Sequence, residues 1–247
     1  TIWVGTDDGN LQVTKDGGKT WTKKNAGLRG LPANAWVSSI EVSSHDKNMV
    51  FATFDNHAMG DMKPYVYMSK DGGTTWVSLA TADITGYAHK IKQDPVNREL
   101  LFLGTELGLF LSRDLGKNWI RFHANVPPVA VRDIAFHAGT NDLVLGTHGR
   151  GIIIIDDITP LRSITQEVLD SEMSFLPTRP SYISGGRYGG AFPNGGYSGP
   201  NSSEEFVICY YLKDRVMKGD VRVEFYNASG KKVGSVPGSK RRGLNVV

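Results

Sequence analysis

Three segments of the chain repeat one pattern: Thr14-Lys-Asp16-Gly-Gly18-Lys-Thr-Trp21, Ser69-Lys-Asp71-Gly-Gly73-Thr-Thr-Trp76 and Ser112-Arg-Asp114-Leu-Gly116-Lys-Asn-Trp119. All obey Ser/Thr-x-Asp-x-Gly-x-x-Trp. The aspartates are spaced by 55 residues (16 to 71) and 43 residues (71 to 114), the length of a four-stranded propeller blade. A chain with this internal period cannot bury the apolar face of one repeat alone; it must stack neighbouring repeats.

Upstream of each box, a second shared element closes an apolar strand: Gly5-Thr6, Ala52-Thr53 and Gly104-Thr105. A fourth copy, Leu143-Val-Leu-Gly146-Thr147, follows at the same interval and leads into Ile152–Ile155, after which the box decays: Asp157 keeps its place, but Ile158-Thr159-Pro160 replaces the glycine turn. First strands read as Val37–Val42, Ala88–Lys92 and Val131–Phe136, each followed by a polar turn and an apolar second strand. The expected fold class is all-β: a partial β-propeller of four-stranded Asp-box blades over residues 1–160. Two blades are complete, residues 1–27 supply strands two to four of another, and 130–157 supply strands one to three of a fourth. Such an arc leaves edges to be covered by the remainder of its own polypeptide or by another protein chain.

The box itself has a mechanical reading. Glycines permit positive φ in a tight hairpin, the carboxylates of Asp16, Asp71 and Asp114 accept backbone N–H groups across the turn, and Trp21, Trp76 and Trp119 anchor the returning strand. These residues are expected to be structural. The spaced acids and closing glutamate of an EF-hand loop are missing.

After Asp157 the texture changes. A short helix is expected over Ser163–Ser171, capped by Ser163 with Gln166 three residues on. Residues 161–204 form a connecting segment and a Gly/Pro-rich linker. Residues 205–247 resume as strands at Phe206–Leu212, Asp220–Tyr226 and Lys232–Val236, with a turn at Asn227–Gly230; this spacing suggests the beginning of an immunoglobulin-like β-sandwich. The first residue is not methionine, and both termini read as strand, so the chain is expected to be a fragment of a longer polypeptide.

Composition narrows the function. At 247 residues, 40% hydrophobic and 21% charged, the chain is globular, and its formal charge of only +3 disfavours nucleic acid as a partner. Its basic cluster, Lys231, Lys232, Lys240, Arg241 and Arg242, reads as a solvated hairpin edge. The single cysteine, Cys209, reads as a buried strand residue and permits no internal disulfide. The longest apolar run, Ile152–Ile155, falls far short of the roughly 20 residues of a membrane helix, so no transmembrane segment is expected.

With these residues in view, the chain resembles the bacterial sortilin-like, BNR-repeat proteins often labelled "glycosyl hydrolase". The matching segments are Asp55-Asn-His57 through Lys63-Pro64-Tyr65, Leu100–Phe110, Asn141–Gly151, Asp156–Arg162 and Tyr210–Lys213. The resemblance covers nearly the whole chain and speaks for architecture more than activity. It implies a secreted, periplasmic or cell-surface protein. Asp boxes also occur in sialidases and xyloglucan-degrading enzymes, but the sialidase set of an arginine cluster, a Tyr/Glu pair and an acid aspartate cannot be assembled here. No catalytic residue, metal site or cofactor is assigned.

Propeller loops alternate between two faces, so the loops joining strands two and three lie opposite the Asp boxes. They carry Asp7 and Asp8, the long insertion Asp55–Pro64, Glu106 and His148-Gly149-Arg150. As a binding surface, this rim uses Asp55, His57, Asp61, Glu106, His148 and Arg150 to recognise a glycan or protein, with Trp36 or Tyr87 as aromatic platforms. As a glycosidase, it draws a carboxylate pair from Asp55, Asp61 and Glu106. As a metal site, it uses Asp55, His57, Asp61 and His148, at a spacing that matches no strong motif. The plainest reading makes these satisfied loop residues. His89, His123 and His137 have no partner pattern and are expected to be structural, and Arg132 and Arg150 to form ordinary ion pairs. The expected function is a non-catalytic propeller module for protein or glycan binding and assembly; the alternative is a glycoside hydrolase whose catalytic residues lie elsewhere.

Overall fold

The computed structural model describes residues 1–181 and 206–247. Most of the Gly/Pro-rich linker therefore lies outside the described residues. Two compact units, Thr1–Asp156 and Asp157–Val247, divide the chain.

In the first unit, β1 (Ile2–Gly5), β2 (Leu11–Thr14) and β3 (Thr22–Lys23) form a three-stranded sheet. Next come β4 (Trp36–Val42), β5 (Val50–Asn56), β6 (Asp61–Ser69) and β7 (Val77–Ser78), then β8 (Ala88–Gln93), β9 (Leu101–Thr105), β10 (Gly108–Ser112) and β11 (Ile120–Arg121), two four-stranded sheets in sequential order. A last sheet holds β12 (Ala130–His137), β13 (Asp142–His148) and β14 (Ile152–Ile155). Every pairing is antiparallel. The sheets are the expected blades: two complete, one with strands two to four, one with strands one to three.

Blade stacking explains the burial. All residues of β5, β9 and β10 are buried, because a neighbouring blade covers each face of the two inner sheets. In the outer strands β1 and β14, by contrast, exposed and half-buried positions alternate. One core joins Phe51, Val66 and Met68 of the second blade to Ile91, Leu103 and Phe110 of the third. Another joins Leu11 and Leu28 of the first to Val37, Phe54 and Tyr67 of the second. Each such side chain contributes roughly 1.5–3 kcal/mol through burial.

The glycine of the Gly-Thr element is explained by close approach between blades. A Cβ on Gly5 would lie 2.3 Å from Val37 Cγ1, and one on Gly104 would lie 2.4 Å from the Val131 carbonyl oxygen, in each case on the first strand of the next blade.

The three boxes superpose in their bonding. In each, the Ser/Thr hydroxyl donates to Oδ1 of the aspartate and accepts the N–H of the second turn glycine, at 2.8–2.9 Å for Thr14, Ser69 and Ser112. Oδ1 also accepts the N–H of the residue four positions on: Thr20, Thr75 or Asn118. Oδ2 accepts that same residue's side chain at 2.6–2.7 Å. These donors hold Asp71 down to about 2 and Asp16 lower still, with the Thr75 N–H and the Thr20 hydroxyl as the largest causes. The residue after each aspartate is left-handed, with φ of 74°, 67° and 59° for Gly17, Gly72 and Leu115. Leu115 accepts that backbone cost and packs its side chain on the core.

The tryptophans do more than anchor a returning strand. Trp76 Nε1–H donates to the Lys24 carbonyl at 2.9 Å and Trp119 Nε1–H to the Leu79 carbonyl at 2.9 Å, each in the segment that ends the preceding blade. Trp76 and Trp119 are buried, whereas Trp21, in the first blade, is 42% exposed and donates to Gly18 of its own turn.

In the second unit, the helix expected over Ser163–Ser171 is two short helices, α1 (Thr159–Arg162) and α2 (Gln166–Asp170). The cap is Thr165, not Ser163: the Thr165 hydroxyl accepts the Val168 N–H, while Ser163 closes α1. Strands β15 (Met173–Leu176), β16 (Cys209–Leu212) and β19 (Gly243–Val246) make one sheet, in that order, and β17 (Arg222–Tyr226) pairs with β18 (Lys232–Pro237). The strand β15 falls in the segment read from sequence as a connection. Burial raises the Cys209 thiol to about 11, so it behaves as an inert core group.

The indole geometry separates two superficially equivalent residues. Trp119→Phe orphans the buried Leu79 carbonyl and is expected to cost about 1–3 kcal/mol, while Trp21→Phe stays within about 0.5 kcal/mol. Urea unfolding of both variants checks this; equal losses would contradict the inter-blade role.

Candidate functional site

The rim opposite the boxes is built by a feature repeated in each first strand. Val37 and Ile40, Ala88 and Ile91, and Val131 and Ile134 all turn toward the core, yet members of each pair are three residues apart, which a regular strand does not allow. The register shifts accordingly between Val37 and Ser39, between Ala88 and Lys90, and between Val131 and Asp133. Each shift is a β-bulge that leaves one residue unpaired and re-aims its side chain: Ser38, His89 and Arg132.

Ser38 spends its hydroxyl on the frame, bonding Thr53 and the Ala88 carbonyl, both at 2.9 Å. His89 and Arg132 converge instead on one carboxylate. His89 Nε2 lies 2.9 Å from Glu106 Oε2, and Arg132 donates to the same oxygen at 3.2 Å. Burial pushes the Glu106 carboxyl upward, but His89, Tyr87 and Arg132 outweigh it and hold the group below its ordinary value. Burial drives His89 the other way, below its ordinary 6.5, so a neutral imidazole donates its Nε2–H to an ionised glutamate.

The network continues into the preceding blade through an aromatic stack. The His57 ring lies on Tyr87 with centroids 4.5 Å apart and planes 13° apart, and Tyr87 meets His89 edge-on at 4.9 Å. His57 Nδ1 bonds both oxygens of buried Asp55, at 2.7 and 2.8 Å, and the His57 backbone N–H adds a third bond at 2.9 Å. A 3-10 turn at His57–Met59, closed by left-handed Gly60, sets this geometry.

Of the rim residues expected from sequence, Asp55, His57 and Glu106 are therefore brought together. Asp61 is not: it accepts the Tyr65 hydroxyl at 2.6 Å and the Lys63 N–H within its own hairpin. His148 and Arg150 are exposed at the end of the fourth blade, with no hydrogen-bond partner among the described residues. The metal reading is not supported, since Asp61 and His148 stay out of the cluster; among the described residues no group of three or more His, Cys, Asp or Glu is arranged to hold an ion. His89, read from sequence as having no partner, is central, and Arg132 forms an ion pair as expected. Tyr87 is a platform, but for His57.

Comparison with known proteins adds the following. Residues 64–171 match the family described as Sortilin, neurotensin receptor 3, and residues 12–23 match the BNR/Asp-box repeat. No curated protein matches the chain. Among solved structures, the GH74 xyloglucanase from Xanthomonas campestris is 15% identical, covering 62% of this chain and 27% of that one, with a TM-score of 0.50. A GH74 enzyme from Niastella koreensis is 16% identical over 94% of this chain and 34% of its own, with a TM-score of 0.48. YCF48 bound to D1 peptide is 18% identical over 62% and 47%, with a TM-score of 0.47. This chain spans less than half the length of each. At such identities the likeness concerns fold alone.

Burial of neutral His89 makes stability depend on pH. A histidine whose folded value is depressed contributes stability that is complete above 6.5 and lost as pH falls through the folded value. Unfolding free energy is thus expected to decline from pH 7 toward pH 5, by at most about 1.4 kcal/mol per pH unit from this group. His89→Gln, which retains a donor for Glu106, should flatten that window in denaturant titrations. An unchanged slope would contradict the assignment.

Proposed function

Taking the chain as a BNR/sortilin-like β-propeller segment, we propose that it is a non-catalytic module that binds and assembles protein or glycan ligands through the rim opposite its Asp boxes. One observation carries this reading: the rim carboxylates are committed to donors of the chain itself. Glu106 holds two, Asp55 holds His57 through both oxygens, and Asp61 holds Tyr65. A glycosidase acid needs a carboxyl raised toward neutrality, and Glu106 and Asp61 are held down instead. The donors offered outward come from His57, Arg132, His148 and Arg150. Those of His57 and Arg132 are held by Asp55 and Glu106 before any ligand arrives, which lowers the ordering cost of binding.

The wider organisation belongs to the same proposal: blades over residues 1–160, a connection over 161–204, and an immunoglobulin-like sandwich beginning at 205 that also recruits Met173–Leu176. So does a secreted, periplasmic or cell-surface location, which rests on family resemblance. No helix among the described residues is long and apolar enough to cross a membrane.

The test screens the chain against sialosides, xyloglucan, other polysaccharides and a peptide library, for both binding and product release. Binding without turnover is expected, weakened about tenfold, or roughly 1.4 kcal/mol, by His57→Ala or Arg132→Ala. Turnover that disappears in Asp55→Asn, Asp61→Asn or Glu106→Gln would make the chain a hydrolase and end this reading.

A further inference from the structure

The second unit carries a charge that the chain as a whole conceals. Residues 206–247 hold nine Lys and Arg against three Asp and Glu, so a chain of net +3 gathers a surplus of six there. Four of these cations are spent within the unit. Arg222 donates to the Ser235 hydroxyl at 3.0 Å, Lys232 pairs with Glu224, Lys213 donates to the Asp170 carbonyl at 3.1 Å, and Lys240 pairs with Asp220 at 3.5 Å. The side chains of Arg215, Lys218, Lys231, Arg241 and Arg242 are exposed and have no hydrogen-bond or ion-pair partner among the described residues.

Four of these five lie on two loops that one hydrogen bond joins. The Val216 N–H donates to the Lys240 carbonyl at 3.0 Å, with Arg215 and Lys218 beside the donor and Arg241 and Arg242 beside the acceptor. Both loops are fixed to the strands. The Gly238 N–H donates to the Val221 carbonyl at 2.8 Å, the Tyr210 hydroxyl to the Ser239 carbonyl at 2.7 Å, and the buried Asn245 carboxamide to the Arg241 carbonyl at 2.8 Å. Gly238 approaches so closely that a Cβ there would lie 2.7 Å from Val221 Cγ1. Between Arg215 and Lys218, Val216 packs on the core of Tyr210, Leu212 and Val223, whereas Met217 is left 80% exposed. Burial of Val216 anchors the segment, so the fold makes no use of Met217.

We propose that this pair of loops docks on the surface of an anionic lipid bilayer, Met217 entering the headgroup boundary while Arg215, Lys218, Arg241 and Arg242 meet lipid phosphates. A membrane is the partner that uses both halves of the feature. Each Lys or Arg near an anionic surface raises partitioning about fivefold. The two loops carry five cations against Asp214 and Asp220, so the surplus survives their own acids. An unbranched, adaptable thioether gains by leaving water for the irregular boundary between headgroups and acyl chains. A nucleic acid would engage the cations but leave Met217 in water, and neither loop carries an aromatic side chain on which a base could stack. With one apolar side chain and few cations, the docking is reversible. The inference concerns the second unit alone and does not depend on the rim.

Co-sedimentation of the whole chain with sucrose-loaded vesicles tests it, comparing phosphatidylcholine alone with a mixture of phosphatidylcholine and phosphatidylglycerol. Binding is expected to the anionic vesicles only, and to be lost in about 0.5 M salt, where charges are screened. Lys218→Gln, Arg241→Gln and Arg242→Gln combined weaken it about tenfold or more. The same loss of charge from exposed lysines on the Asp-box turns, Lys19→Gln, Lys70→Gln and Lys117→Gln combined, changes it by less than about twofold. Met217→Ser weakens it about fivefold, and Met217→Leu retains it. Near-ultraviolet dichroism checks that each variant is folded, which substitution of exposed loop side chains should not disturb. Absence of binding to the anionic vesicles overturns the inference, as does binding that the box-turn variant weakens equally or that is indifferent to Met217→Ser. Binding to polyglutamate or single-stranded DNA without binding to vesicles overturns it too, and makes the loops a site for soluble polyanions.

Discussion

The indole N–H of an Asp-box tryptophan donates to a carbonyl of the preceding blade, and in doing so joins the two length scales of the propeller. Within the box, an aspartate and a hydroxyl satisfy the N–H groups of one tight turn. That arrangement is local and needs nothing from the rest of the chain. It sets the position from which Trp76 reaches Lys24 and Trp119 reaches Leu79. A turn built for its own sake thereby fixes the spacing between sheets, and the apolar faces of β5, β9 and β10 close on their neighbours at that spacing.

Once the blades are fixed, the bulged first strands become the means of building a surface. A bulge breaks the alternation of the strand so that both apolar residues face the core, and the extra residue is turned elsewhere. In the second blade it is spent on the frame through Ser38. In the third and fourth it delivers His89 and Arg132 to Glu106 from two different sheets. The same position thus serves structure in one repeat and a polar network in the next. The departures, not the repeat, carry the functional information.

The boxes and the Gly-Thr elements were legible in the sequence because their causes are local: φ in one turn, a missing Cβ in one strand. The partner of each tryptophan was not, since the acceptors lie 52 and 40 residues back. The bulges left a readable trace in the three-residue spacing of Val37 and Ile40, repeated twice, and that trace identifies His89 and Arg132 as re-aimed side chains. The alternation of loops between faces grouped the rim residues by height only. It gave no direction, which is why Asp61 turns into its own hairpin and His148 and Arg150 stand apart from the cluster. The cap at Thr165 in place of Ser163 follows from the same limit: both residues suit the role, and only the break between α1 and α2 decides.

The rim carboxylates are already engaged. Glu106 is the most informative of them, because donors from two blades, His89 and Arg132, meet on it and because an acid catalyst at this rim would need that same group raised. An NMR titration of the Glu106 side-chain carboxyl reads this directly. The expected midpoint lies below the ordinary 4.5 and moves upward in Arg132→Ala. A midpoint above that value in the unmodified chain would contradict it and would return the rim to the hydrolases.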